Sequence, residues 1–130
     1  MKKSEKVGLN LKALLLDHDL EMLNTLTQKL IGLGMDIESS DSLHRARMLF
    51  KQDPMKIQVL ITEINFQDGD AFTLIKWMRK KNPNLIALIV TGEADLPSAI
   101  TAIKLGFADY LEKPCLFYTS PSPRDLRKSR

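Results

Sequence analysis

Apolar residues in this chain fall into short unbroken runs, separated by stretches in which apolar positions recur every three or four residues. The run Lys12-Ala-Leu-Leu-Leu16 ends in Asp17, and its length and lack of alternation predict a strand buried on both faces of a parallel sheet. Met22, Leu23, Leu26, Leu30 and Leu33 follow at helical spacing, with Gly32 and Gly34 suited to the helix end. A weaker second strand is predicted over 35–39. Asp41-Ser42 then offers an N-cap for a helix whose buried face would be Leu43, Ala46, Leu49 and Phe50, closed by Asp53-Pro54. The alternation continues with a strong strand over 57–62 and a loop containing Asp68-Gly69-Asp70. A helix with Phe72, Ile75 and Met78 facing inward comes next, ending near Asn82-Pro83. A fourth strand over 85–90 leads to a short helix that starts near Pro97, includes Ala99, Ile103 and their neighbours and stops at Gly106; a fifth strand covers 108–111.

Strands alternating with helices across short loops predict an α/β domain with a doubly wound parallel sheet and right-handed crossovers. Five strands in one such domain suit the flavodoxin-like order 2-1-3-4-5, in which functional groups collect beyond the carboxyl ends of the strands, near the switch point between the first and third. At those ends stand Asp17, His18 and Asp19, then Glu63, Thr91 and Lys113. Carboxylates with a hydroxyl and an ammonium are the parts of a site that holds a hard divalent cation such as Mg²⁺ and a phosphoryl group. Spacing alone supports a structural salt-bridge cluster equally well.

The 130 residues suit one domain. No apolar run approaches the ~20 residues of a membrane span, and the charged start with the short run after it does not read as a signal peptide, so a soluble cytoplasmic protein is expected. The single cysteine, Cys115, has no internal partner for a disulfide or a metal knuckle. The formal charge of +3 suggests a nucleic-acid partner until its position is considered. Residues 1–115 hold fifteen basic and fifteen acidic groups, so the excess belongs to the tail, where Arg124, Arg127, Lys128 and Arg130 face only Asp125. Direct nucleic-acid binding by the body of the protein is therefore not expected.

From about Leu11 to Pro114 the chain resembles the receiver domain of two-component response regulators, in particular receivers of the nitrogen-regulation (sigma-54 activator) and nitrogen-fixation regulator types. The resemblance is carried by Leu14-Leu-Leu-Asp-His-Asp-Leu-Glu21, Val59-Leu-Ile-Thr-Glu-Ile-Asn65 with Asp68-Gly-Asp-Ala-Phe72, Val90-Thr-Gly-Glu-Ala-Asp-Leu-Pro97 and Gly106-Phe-Ala-Asp-Tyr-Leu-Glu-Lys-Pro114. Their order and intervals make the combination specific. It implies that Asp17 is the first of the family's acidic pair, that His18 stands where the second, metal-binding acid belongs, and that Asp19 is the common third acid. Glu63 then occupies the position of the phosphoacceptor aspartate, Thr91 is the hydroxyl that meets the phosphoryl group, Tyr110 is the aromatic switch residue, and Lys113 is the conserved lysine. A cis peptide bond is the family's habit at the following proline, here Pro114.

Two departures change the expected chemistry. Glu63 is one methylene longer than aspartate, so its carboxylate projects toward Lys113 and Thr91, where a phosphoryl oxygen would otherwise lie. His18 replaces a hard oxygen ligand with nitrogen and removes a charge, which weakens Mg²⁺ binding and leaves Asp17 and Glu63 as the remaining metal-binding candidates. The resemblance thus implies a bacterial signalling domain, not an enzyme in the ordinary sense, with altered or lost phosphoacceptance: a pseudo-receiver. Its implied partners are a sensor histidine kinase or a fixed signalling partner, an output domain involved in transcription regulation, and a second copy in a homodimer. A rival reading is a haloacid-dehalogenase-like phosphohydrolase with Asp17 as nucleophile and Asp19 as acid/base, against which stand Leu20 and Glu21 in place of small turn residues. Residues 1–10 read as an N-terminal extension and 11–114 as the receiver. The 115–130 tail, with Pro121, Pro123 and no helical stripe, does not look like the family's fifth helix. It resembles translated read-through of a sequencing adapter; a genuine Ser/Pro/Arg tail is the alternative.

Overall fold

The computed structural model describes residues 11–113; the N-terminal extension, Pro114, Cys115 and the expected replacement of the fifth helix all lie outside the described residues. The elements run β1 (Lys12–Leu16), α1 (Leu20–Gly32), β2 (Asp36–Ser40), α2 (Leu43–Gln52), a 3₁₀ turn (Pro54–Lys56), β3 (Val59–Thr62), α3 (Ala71–Lys81), β4 (Ile86–Thr91), α4 (Leu96–Lys104) and β5 (Asp109–Glu112). The strands form one parallel sheet in the order β2-β1-β3-β4-β5, so the predicted order 2-1-3-4-5 is observed. Asn65–Phe66 and Gly69–Asp70 add a small antiparallel ladder in the loop after β3.

Each helix begins at a side chain suited to satisfying its free N–H groups. Asp19 accepts from Glu21 N and Met22 N, Ser42 from Arg45 N, Asp70 from Thr73 N, and Asp95 from Ser98 N. These caps sit in the loops that follow the strands, so the residues that start the helices also set where the rim of the sheet lies.

The two faces of the sheet bury different sets. Leu14, Leu16 and Leu60 pack with Leu43, Ala46 and Phe50 of α2 and Leu74, Ile75 and Met78 of α3. Ile89 joins this side against Ala102 of α4 and Ala71. On the opposite face Ala13, Leu15, Ile61 and Val90 meet Leu23 and Leu26 of α1, with Leu88 and Leu111 partly buried beside them. Each such leucine withdrawn from water contributes about 2 kcal/mol.

Some expected positions shift. β3 begins at Val59, because the 3₁₀ turn consumes the preceding residues and leaves Ile57 buried outside the ladder. In α4 the inward residue is Ala102, whereas Ile103 is 73% exposed. Ala102 packs with Ile89 of the sheet and Ala71 of α3. Leu33, expected on the buried stripe of α1, is its C-cap and is exposed. Leu49 and Phe72 are partly rather than fully buried.

Candidate functional site

Three of the candidate residues stand one position beyond a strand, and in each case the backbone N–H continues the ladder. Asp17 N donates to Ser40 O across 3.2 Å, Glu63 N to Leu16 O across 3.0 Å, and Lys113 N to Thr91 O across 2.8 Å. These bonds fix the three Cα positions relative to one another, which is how residues 46 and 50 apart in sequence come to share one small volume.

Within that volume the Lys113 ammonium lies 2.8 Å from Asp17 Oδ2 and 2.8 Å from Glu63 Oε1. The remaining oxygens are also engaged: Asp17 Oδ1 accepts from Asp19 N at 2.9 Å, and Glu63 Oε2 accepts from Ile64 N at 2.8 Å. Both carboxylates are buried, Asp17 at 5% exposure and Glu63 at 6%. Burial is the largest single influence on Glu63 and favours its neutral form. The bonds from Lys113, Thr91 and Ile64 together outweigh it and hold the carboxyl below the usual glutamate range. Burial likewise disfavours the charged form of Lys113, yet Asp17 and Glu63 raise it above the usual lysine value. The group is thus ionised and internally paired.

Thr91 is buried and its hydroxyl accepts from Glu93 N at 3.1 Å. The Tyr110 hydroxyl accepts from Asp95 N at 3.2 Å and bonds the Ser98 hydroxyl. The two residues therefore meet through the loop between β4 and α4, Thr91 holding it at Glu93 and Tyr110 at Asp95.

Asp17, His18 and Glu63 each offer a ligand atom, all within 4.8 Å of one another, so this cluster could hold a metal ion. Asp19 is not in it; its carboxylate is turned to the cap of α1. His18 is exposed, with its ring edge-on to Phe66 at 6.1 Å between centroids. A cavity of about 660 Å³ opens beside it, lined by His18, Asp41, Ser42, Asn65, Phe66 and Asp68.

Two positioning residues were not singled out from the sequence. Asp68 accepts from Leu43 N at 3.1 Å and His44 N at 2.9 Å, pinning the loop after β3 to the start of α2. Arg79 bonds the carbonyls of Leu85, Leu105 and Gly106, tying α3 to the end of α4. Asp68 lies in a run read only as a loop, and no local pattern announces a cap for a helix that begins 25 residues earlier. Arg79 carries no local signal either.

The phosphohydrolase reading is not favoured. Asp17 is drawn into the rim cluster by Lys113, and Asp19, the acid/base of that reading, is turned away to cap α1.

Residues 13–118 match the family model described as the response regulator receiver domain. The chain is 25% identical over 109 residues to the photosynthetic apparatus regulatory protein RegA of Cereibacter sphaeroides, which covers 84% of this chain and 58% of RegA. It is 31% identical over 61 residues to the transcriptional regulatory protein FixJ of Azorhizobium caulinodans, covering 47% of this chain and 29% of FixJ. The beryllofluoride-activated NtrC4 receiver domain dimer superposes with a TM-score of 0.73 at 24% identity, over 79% of this chain and 84% of that one. The chain thus spans little more than half the length of RegA and less of FixJ. Among the described residues no helix is long and apolar enough to cross a membrane. With the five-stranded parallel sheet and the rim constellation at its switch point, the match over most of its length shows that the chain belongs to the response regulator receiver domain family.

Proposed function

We propose that this chain is a receiver whose phosphoacceptance is altered or lost, and in which the Glu63 carboxylate stands in for part of what a phosphoryl group does. The observation that carries this reading is the Lys113 ammonium bridging Glu63 and Asp17 at 2.8 Å each, with every carboxylate oxygen of the pair engaged. The carboxylate thus occupies the space beside Lys113 that a phosphoryl oxygen would take.

Mg²⁺, when held at such a rim, neutralises and orients phosphoryl oxygens. It demands near-octahedral oxygen coordination. Here one donor is the His18 imidazole, and an ammonium already lies against both carboxylates. This donor set does not suit Mg²⁺, and no step of the proposed switch runs through the ion. Glu63 acts instead through Lys113, whose backbone N–H is held by Thr91 O; Thr91 in turn holds Glu93, while Tyr110 holds Asp95 at the start of α4. A sensor histidine kinase or fixed signalling partner, an output module and a second copy are the partners this role calls for.

Incubation with acetyl phosphate and Mg²⁺, followed by intact-mass measurement, tests the reading. The natural sequence is expected to remain unmodified, and the Glu63→Asp, His18→Asp double variant to gain one phosphoryl group. Phosphorylation of the natural sequence at the rate of the double variant would overturn it.

A further inference from the structure

The charge of the described residues is divided between two regions. Residues 43–56 and 71–81, which form α2, the 3₁₀ turn and α3, carry eight of the twelve lysines and arginines in 11–113 but only one of the fourteen acids, Asp53. Many of the acids lie in the loops at the rim of the sheet, Asp68 and Asp70 among them at the starts of these two helices. The body of the protein is therefore close to neutral as a whole and strongly basic over one pair of helices.

That basic face also has apolar character. Trp77 of α3 packs against Phe50 of α2 at 5.8 Å between centroids. Its ring lies 5.7 Å from the Arg47 guanidinium and 5.0 Å from the Lys81 ammonium. Met48 is 54% exposed and stands one helical turn from both Arg45 and Lys51; Met55, beside Lys56, is 60% exposed. Polarisable, unbranched methionines suit a surface that adapts to an apolar partner, and the cations around them select for negative charge.

We infer that the paired α2 and α3 helices form a docking surface for an acidic amphipathic polypeptide segment, with Trp77 and Met48 meeting its apolar side chains and Lys51 and Lys80 its carboxylates. Charge complementarity decides the class of partner. A nucleic acid is the weaker fit, because single strands are held by aromatic rings free to stack on bases, and the Trp77 ring is already engaged by two cations and Phe50. The surface is independent of the rim chemistry, so its failure and that of the proposed function are separable.

Trp77 is the single tryptophan of the chain, which makes its emission a direct probe of this face. The experiment titrates the full chain with a peptide of about four Glu-Glu-Leu repeats, and separately with poly-glutamate of equal charge and a short DNA duplex. The expected result is a saturable shift of Trp77 emission with the repeat peptide that weakens as salt rises. Poly-glutamate and duplex should bind more weakly. Lys51→Glu with Lys80→Glu should weaken the peptide by about tenfold or more, since two contacts change sign. Circular dichroism with thermal melting establishes that the variant is folded. Equal or tighter binding of the duplex, no emission change with the peptide, or undiminished binding by the double variant would each overturn the inference. So would sedimentation showing a dimer that this variant abolishes, since the face would then belong to a second copy.

Discussion

Lys113 Nζ lies 2.8 Å from Glu63 Oε1, so the buried carboxylate just beyond β3 is neutralised by a partner fifty positions away. Asp17 shares the same ammonium, and the three groups carry one net negative charge in a largely buried setting. The consequences of removing each member differ. Lys113→Met leaves two buried carboxylates facing each other and should cost about 3–5 kcal/mol. Glu63→Gln leaves Lys113 paired with Asp17 and should cost only about 1–2 kcal/mol. Urea unfolding checks the order, and equal costs would contradict the shared-ammonium arrangement.

The same trio sets a pH dependence. Glu63 is held below its ordinary range in the fold, so its contribution is fully present above about pH 4.3, its unfolded value, and is lost as pH falls toward the folded value. Lys113 is raised, so its contribution is fully present below about pH 10.4 and is lost as pH rises through the folded value. Stability measured by urea midpoint should be flat between these limits with respect to this pair. Glu63→Gln should reduce the loss on the acid side.

Magnesium should do little to the natural sequence. Millimolar Mg²⁺ is expected to leave the Tm of the natural chain nearly unchanged and to raise that of the Glu63→Asp, His18→Asp variant. At an ion concentration about ten times Kd, the linkage amounts to about 1.4 kcal/mol. A comparable rise in both proteins would show that His18 and Lys113 do not impair the site.

Asp68 satisfies two free N–H groups at the start of α2, and its carboxyl is held below the usual range chiefly by the His44 N–H. Asp68→Ala should destabilise the fold by about 1–2 kcal/mol, with Asp68→Asn recovering part of that loss. Chemical denaturation of the three proteins measures it.

Tyr110→Phe removes the hydroxyl that holds Asp95 and Ser98. The expected cost is about 1 kcal/mol, expressed locally as faster amide exchange at the start of α4. Exchange at α1 should not change.

Much of this was legible in the order of residues because the signals are local. Unbroken apolar runs marked the strands, three- and four-residue spacing marked the helices, and Asp41-Ser42 and Pro97 marked the starts of α2 and α4. That order alone placed Asp17, Glu63, Thr91 and Lys113 at the carboxyl ends of parallel strands. What the tertiary structure decided is which of them touch. Ladder bonds beyond the strand ends bring Lys113 against Asp17 and Glu63, while helix capping draws Asp19 away from the cluster. Tyr110 is bonded at Asp95 and Ser98, and the packing of α4 buries Ala102 and leaves Ile103 outside. Periodicity and capping depend on neighbours a few residues away; these contacts depend on sheet register and helix depth, which no short stretch of sequence encodes.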